Sequence, residues 1–179
     1  MSLSIILPTI NRPTLRAALE SVIPQLNFAD ECVVIGHGSL PEAEKLVHSY
    51  PQTRYFEENT PSRFGADRRN LGMDRAFGDH FIYLDDDDIL VPNALKAIRS
   101  YTKMNPGFLL FFRAEILRDI TGLPPLKVWL NNTEITNGNP ICANLVVPNI
   151  LNGPRWTPVD EPSNNEETTY LNACVEQFP

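Results

Sequence analysis

Apolar and polar residues alternate along this chain in blocks, and the blocks predict its elements. Leu3 to Leu7 is a short apolar run rich in branched residues, which reads as a buried strand. Pro8-Thr9-Ile10-Asn11-Arg12-Pro13 interrupts it. Pro13 suits a first helical turn, and Leu15, Ala18, Leu19 and Val22 then recur at helical spacing. Val33-Val34-Ile35 predicts a second strand, closed by Gly36-His37-Gly38-Ser39. A helix follows over Pro41 to Tyr50, with Ala43, Leu46 and Val47 inward, and then a short strand around Arg54-Tyr55-Phe56. Gly65 to Phe77 predicts a helix stopped by Gly78, Phe81 to Leu84 a fourth strand, and Pro92 to Tyr101 the next helix. Strands alternating with helices at this spacing predict right-handed β-α-β units and a mainly parallel α/β sheet.

The regularity weakens after about residue 105, where prolines and asparagines dominate. Strands are expected at Phe108 to Phe112, Val128 to Leu130 and Leu145 to Val147, and a last helix over Glu166 to Val175. With no repeat and no low-complexity segment, the expectation is one domain over residues 1–179. Its regular half is 1–105 and its looser half 106–179.

Composition narrows the partners. Hydrophobic residues are 42% and charged residues 21% of 179, ordinary for a globular domain. A net charge of -7 argues against nucleic acid, whose phosphates need a positive face. No run approaches the roughly 20 apolar residues of a membrane span, and no basic-then-apolar leader opens the chain. The three cysteines lack zinc spacing, and Cys32 reads as an inert core thiol. These features predict a cytoplasmic protein, with a homo-oligomer left open.

The chemistry concentrates at Asp85-Asp86-Asp87-Asp88, directly after an apolar strand. Adjacent carboxylates repel, so either the run is a solvated turn capping the next helix or a cation balances it. Hard oxygen donors suit Mg²⁺, Mn²⁺ or Ca²⁺. Ligands of open parallel sheets bind at the carboxyl ends of the strands. Pro8 to Arg12, Gly36 to Ser39 and Asp85 to Asp88 all fall at such ends, which favours a site. An EF-hand is excluded, because the glycine and glutamate its loop requires fall on Leu90 and Lys96. A Walker loop is excluded by the missing lysine.

In this order, Ser4-Ile5-Ile6-Leu7-Pro8-Thr9-Ile10-Asn11-Arg12-Pro13, Arg69-Asn70-Leu71-Gly72, Tyr83-Leu84-Asp85-Asp86-Asp87-Asp88 and Pro92-Asn93-Ala94-Leu95 resemble the family 2 glycosyltransferases. The resemblance covers roughly the first 105 residues and implies a GT-A-like fold. It also implies a nucleotide-diphosphate sugar donor, with a UDP-sugar foremost, and a saccharide or other hydroxyl acceptor. Transfer would be metal-dependent and inverting, with Mn²⁺ or Mg²⁺. By the same resemblance Asp87 and Asp85 would hold the metal, and Asp86 would lie near the ribose. Pro8, Thr9, Asn11 and Arg12 would form the nucleoside-binding turn, and Arg69 would face phosphate. Where the family has an aspartate that accepts a hydrogen bond from the base, this chain has His37, which could accept one through a neutral ring nitrogen.

An inverting transfer also needs a general base. By register with the family it would be Glu167 of the Glu166-Glu167 pair, with Asp160 and Glu161 as rivals. Helix capping is the competing role for such acids. Trp156 could be a sugar platform or core. Two other functions stay open: a nucleotide- or metal-binding domain without activity, and a sugar nucleotidyltransferase. The second is disfavoured because no glycine-rich basic loop follows the first strand.

Overall fold

The computed structural model describes residues 1–60, 65–111, 115–116, 126–127, 145–157 and 166–178. The strands are β1 (Leu3–Thr9), β2 (Glu31–His37), β3 (Thr53–Glu58), β4 (His80–Tyr83), β5 (Leu110–Phe111), β6 (Glu115–Ile116), β7 (Leu126–Lys127) and β8 (Leu145–Pro148). The helices are α1 (Leu15–Val22), α2 (Pro41–Val47), α3 (Ala66–Arg75), α4 (Ala94–Met104) and α5 (Glu166–Gln177). A six-stranded sheet has the order β3-β2-β1-β4-β8-β5, and β6 and β7 form a separate pair. β1 pairs in parallel with both β2 and β4, and β2 with β3. β8 runs antiparallel to β4 and β5.

This is the expected α/β arrangement, with differences at its ends. Tyr55 lies in a strand extended to Thr53–Glu58. α2 stops at Val47, three residues short of Tyr50. Of the strand expected at Phe108 to Phe112, Leu110–Phe111 pair in the sheet. Val128 to Leu130 lie outside the described residues.

Strand alternation divides the core into two layers. Leu3, Ile5, Leu7, Cys32, Val34, Ile82, Leu84 and Val146 face α1, α2 and α4. Ile6, Phe81, Tyr83, Leu145 and Val147 face α3 and α5. Cys32 is fully buried, and burial pushes its thiol up to about 12, as an inert core residue requires. Gly72 brings α3 against β1: a Cβ there would lie 2.4 Å from Ile6 Cγ2. Close packing at that point carries the first turn of α3, with Arg68 and Arg69, to the carboxyl edge of the sheet.

Buried acids also occupy the amino edge. The Asp30 carboxylate accepts from the Leu3 amide at 2.9 Å and the Asn27 amide at 2.6 Å, and it pairs with Arg99. Glu31 accepts from Ser4 Oγ at 2.6 Å and the Phe77 amide at 2.7 Å, and it pairs with Arg54.

Candidate functional site

The strand order reverses direction between β1 and β4, and ligands of open α/β sheets settle outside such a switch point. There β1 ends in Thr9 and β4 runs into the aspartates. Asp86 ties the two together. It is 1% exposed and accepts from Thr9 Oγ1 at 2.6 Å, the Ile10 amide at 3.2 Å and Arg12 Nη1 at 2.5 Å. Both Asp86 oxygens are thus held by protein, although the resemblance set this residue near a ribose. Thr9 Oγ1 accepts in turn from the Asn11 amide at 2.9 Å. Asn11 sits at φ 63°, a left-handed conformation that asparagine tolerates. Pro8 pairs with Ile35 inside the sheet. The turn Pro8 to Arg12 is therefore rigid before any ligand arrives.

Asp87 is the open member of the run, with its side chain 52% exposed, and Arg12 Nη1 lies 3.3 Å from its Oδ2. Asp85 is partly buried and accepts from Arg69 Nη2 at 2.7 Å. The Asp88 carboxyl is pushed up to about 6, first by burial and then by Asp85, Asp87 and Glu167. Glu167, the expected base, lies in the first turn of α5, and its charge is the smallest of those that raise Asp88. Asp160 lies outside the described residues, as does Glu161.

Among the described residues, no three carboxylate, histidine or cysteine side chains converge as a self-sufficient metal cage. A cation shared with a diphosphate needs less, because Mg²⁺-type sites use one or two carboxylates with phosphate oxygens completing the shell. Asp85 and Asp87 supply hard donors of that kind. Asp88 beside them is raised chiefly by burial, with the charges of Asp85 and Asp87 adding to it. The donor set fits a divalent ion held in this way.

Arg69 is more enclosed than a phosphate ligand was expected to be. Besides Asp85, its guanidinium lies 3.6 Å from Glu166 and 4.7 Å from the Trp156 ring centroid. Its first assignment is therefore to hold Asp85. Glu166 is buried, and burial raises its carboxyl to about 7 against the opposing pull of Arg69 and Arg68. Trp156 is core: it is 2% exposed, stacks on Tyr170 at 4.1 Å and meets Tyr83 edge-on at 5.2 Å. The Tyr83 and Tyr170 hydroxyls share a 2.6 Å hydrogen bond.

Sequence reasoning missed two contributors. Asn70 clamps Trp156 by donating to its carbonyl at 2.8 Å and accepting from its amide at 2.9 Å. The signal was its place beside Arg69 in Arg69-Asn70-Leu71-Gly72. Arg68 is 6% exposed and contacts His37 Nδ1 at 2.7 Å, although nothing in its place before Arg69 marks it as buried. An arginine can only donate, so that nitrogen accepts from Arg68. It is not free to accept from a base, as His37 was expected to do. A cavity of about 660 Å³ lies away from this chemistry, between Phe81 at the amino end of β4 and the segment Asn149 to Arg155.

Comparison with known proteins follows the same lines. A family model described as Glycosyl transferase family 2 matches residues 4–136. An uncharacterized glycosyltransferase of Haemophilus influenzae is 31% identical over 110 residues, 59% of this chain and 36% of its own length. A GalNAc(5)-diNAcBac-PP-undecaprenol beta-1,3-glucosyltransferase of Campylobacter jejuni is 30% identical over 111 residues, 59% of this chain and 35% of its own. This chain therefore spans about a third of the length of those relatives. Among solved structures, S. aureus TarS 1-349 superposes with a TM-score of 0.77 at 19% identity, over 99% of this chain and 56% of that 1-349 chain. Its complex with UDP-GlcNAc gives 0.78 at the same identity, over 99% of this chain and 54% of that one. At that identity the likeness establishes the fold, which is GT-A.

Proposed function

The chain belongs to glycosyl transferase family 2, and from that membership we propose that it moves a sugar from a nucleotide-diphosphate sugar to an acceptor hydroxyl. Transfer inverts the anomeric carbon and uses Mn²⁺ or Mg²⁺. The observation that carries this reading is the meeting of three groups at one sheet edge. They are the Asp86-locked turn Thr9 to Arg12, Asp85 held by Arg69, and the open Asp87 carboxylate beside Arg12. Solved neighbours in complex with UDP-GlcNAc and with UDP make a UDP-sugar the donor to try before others.

Asp87 and Asp85 would hold the cation, which when bound supplies Lewis-acid neutralisation of the leaving diphosphate. Arg69 fixes the Asp85 carboxylate, so that one ligand arm is set in advance of the ion. Arg12, anchored on Asp86 and half exposed, extends the positive side of the turn toward the phosphates. Glu167 takes the acceptor's hydroxyl proton as the new bond forms. Glu166, held against Arg69, orients the first turn of α5 and with it Glu167.

Transfer or hydrolysis of UDP-GlcNAc with Mn²⁺ tests this assignment. Glu167→Gln should lower kcat by about 100-fold or more while donor affinity stays near wild type. Unchanged turnover would remove Glu167 as base.

A further inference from the structure

We infer that His37 reads the donor's base as a hydrogen-bond donor, held in one tautomer by the buried Arg68, and so selects a base that presents an acceptor there. The inference deepens the nucleotide-sugar reading and rests on it.

The Arg68 guanidinium is a buried cation. It is 6% exposed, and burial lowers its pKa from 12.5, the neighbouring Arg69 adding to the effect. Its Nη1 lies 2.7 Å from His37 Nδ1. Arginine carries five N–H donors and no acceptor, so the proton in this contact belongs to Arg68 and Nδ1 offers its lone pair. The ring is then neutral and carries its proton on Nε2. His37 itself is exposed, at the last position of β2.

That position is where a base would fall. The order β2-β1-β4 sets His37 two strands from the aspartates, a span of roughly 10 Å at ordinary strand spacing. This is about the reach of a nucleoside from its own phosphates. Thr9 at the end of β1 pairs with Gly36 and lies between them. Gly38 turns the chain away at φ 72°, leaving the His37 ring at the rim. An aspartate at this position would be acceptor-only and would require an N–H on the base. His37, with Nδ1 occupied, can offer only its Nε2–H. Its partner must be an acceptor, and at position 3, where the two pyrimidines differ in polarity, that is the unprotonated N3 of cytosine. Uracil N3–H cannot satisfy it.

Calorimetric titration with UDP and CDP, both with Mn²⁺, tests the polarity on wild type, His37→Asp and His37→Asn. UDP carries N3–H and CDP a bare N3, so the ratio of their affinities reports which edge is read. Replacing the donor by an acceptor should move that ratio toward UDP by about tenfold. His37→Asn, which can still donate, should hold it within about threefold of wild type. A ratio unchanged in His37→Asp would overturn the inference while leaving nucleotide binding intact. Failure of wild type to bind either nucleotide would remove the proposed function and the inference together. An independent check needs no variant: with three histidines in the chain, ¹⁵N spectra of histidine-labelled wild type can resolve each ring. Protonation of His37 at Nε2 with a bare Nδ1 is expected, and a proton on Nδ1 would contradict the inference.

Discussion

The two edges of the sheet both bury acids, but they treat them differently. At the amino edge, Asp30 and Glu31 each have an arginine and two further donors, among them the amides of Leu3, Asn27 and Phe77. At the carboxyl edge, six acids in two short runs share Arg12, Arg69 and the charge of Arg68. Asp88 is pushed up to about 6 and Glu166 to about 7. A buried charge is tolerated when hydrogen bonds and a counter-charge surround it, and otherwise its ionised form is disfavoured. The amino edge is therefore built to hold the fold, and the carboxyl edge leaves Asp88 and Glu166 with their ionised forms disfavoured.

The sharpest way to break this contrast is at the amino edge. Asp30→Ala strands Arg99 and the Leu3 and Asn27 amides, and should cost about 3–5 kcal/mol in urea unfolding. An exposed acid at the other edge should behave oppositely: Asp87→Ala should change stability by about 0.5 kcal/mol or less.

Glu166 sharpens the comparison through pH. Its folded carboxyl is raised above its usual value of 4.5, to about 7, so the folded state binds the extra proton in between. Stability should then fall as pH rises from about 4.5 to about 7 and level off above. Glu166→Gln should flatten that slope above about pH 6, where Asp88 is already ionised, gaining on the order of 1–3 kcal/mol relative to wild type at pH 8 and little at pH 4. Urea midpoints at several pH values read it directly, and an unchanged slope would mean that Glu166 is compensated after all.

The smallest effect concerns the bridge from α3 to Trp156. Asn70→Ala deletes two hydrogen bonds to the Trp156 backbone and should cost about 1–2 kcal/mol. Because that bridge also seats the ring under Arg69, turnover should fall more than donor affinity does.

The same contrast explains what could be read in advance. The parallel strands were legible because their apolar runs are short, branched and separated by glycine or proline turns. The aspartate run was legible because four adjacent carboxylates after a buried strand have few structural uses. Period alone could not tell Arg68 from Arg75: both lie on α3, and burial of the first depends on where Gly72 lets the helix approach β1. The Asp86 clamp joins positions 77 apart in sequence, and the Asn70 clamp joins positions 86 apart. No local pattern encodes either pairing. Trp156 was ambiguous because an indole suits both sugar and core, and its stack on Tyr170 decides for core.

Calorimetric titration of wild type with UDP, in chelator and then in Mn²⁺, addresses the carboxyl edge most directly. The account predicts at least about tenfold tighter binding with the metal. In Asp87→Ala that gain should disappear while the melting temperature of the free protein holds. Equal affinity with and without Mn²⁺ in wild type would contradict it.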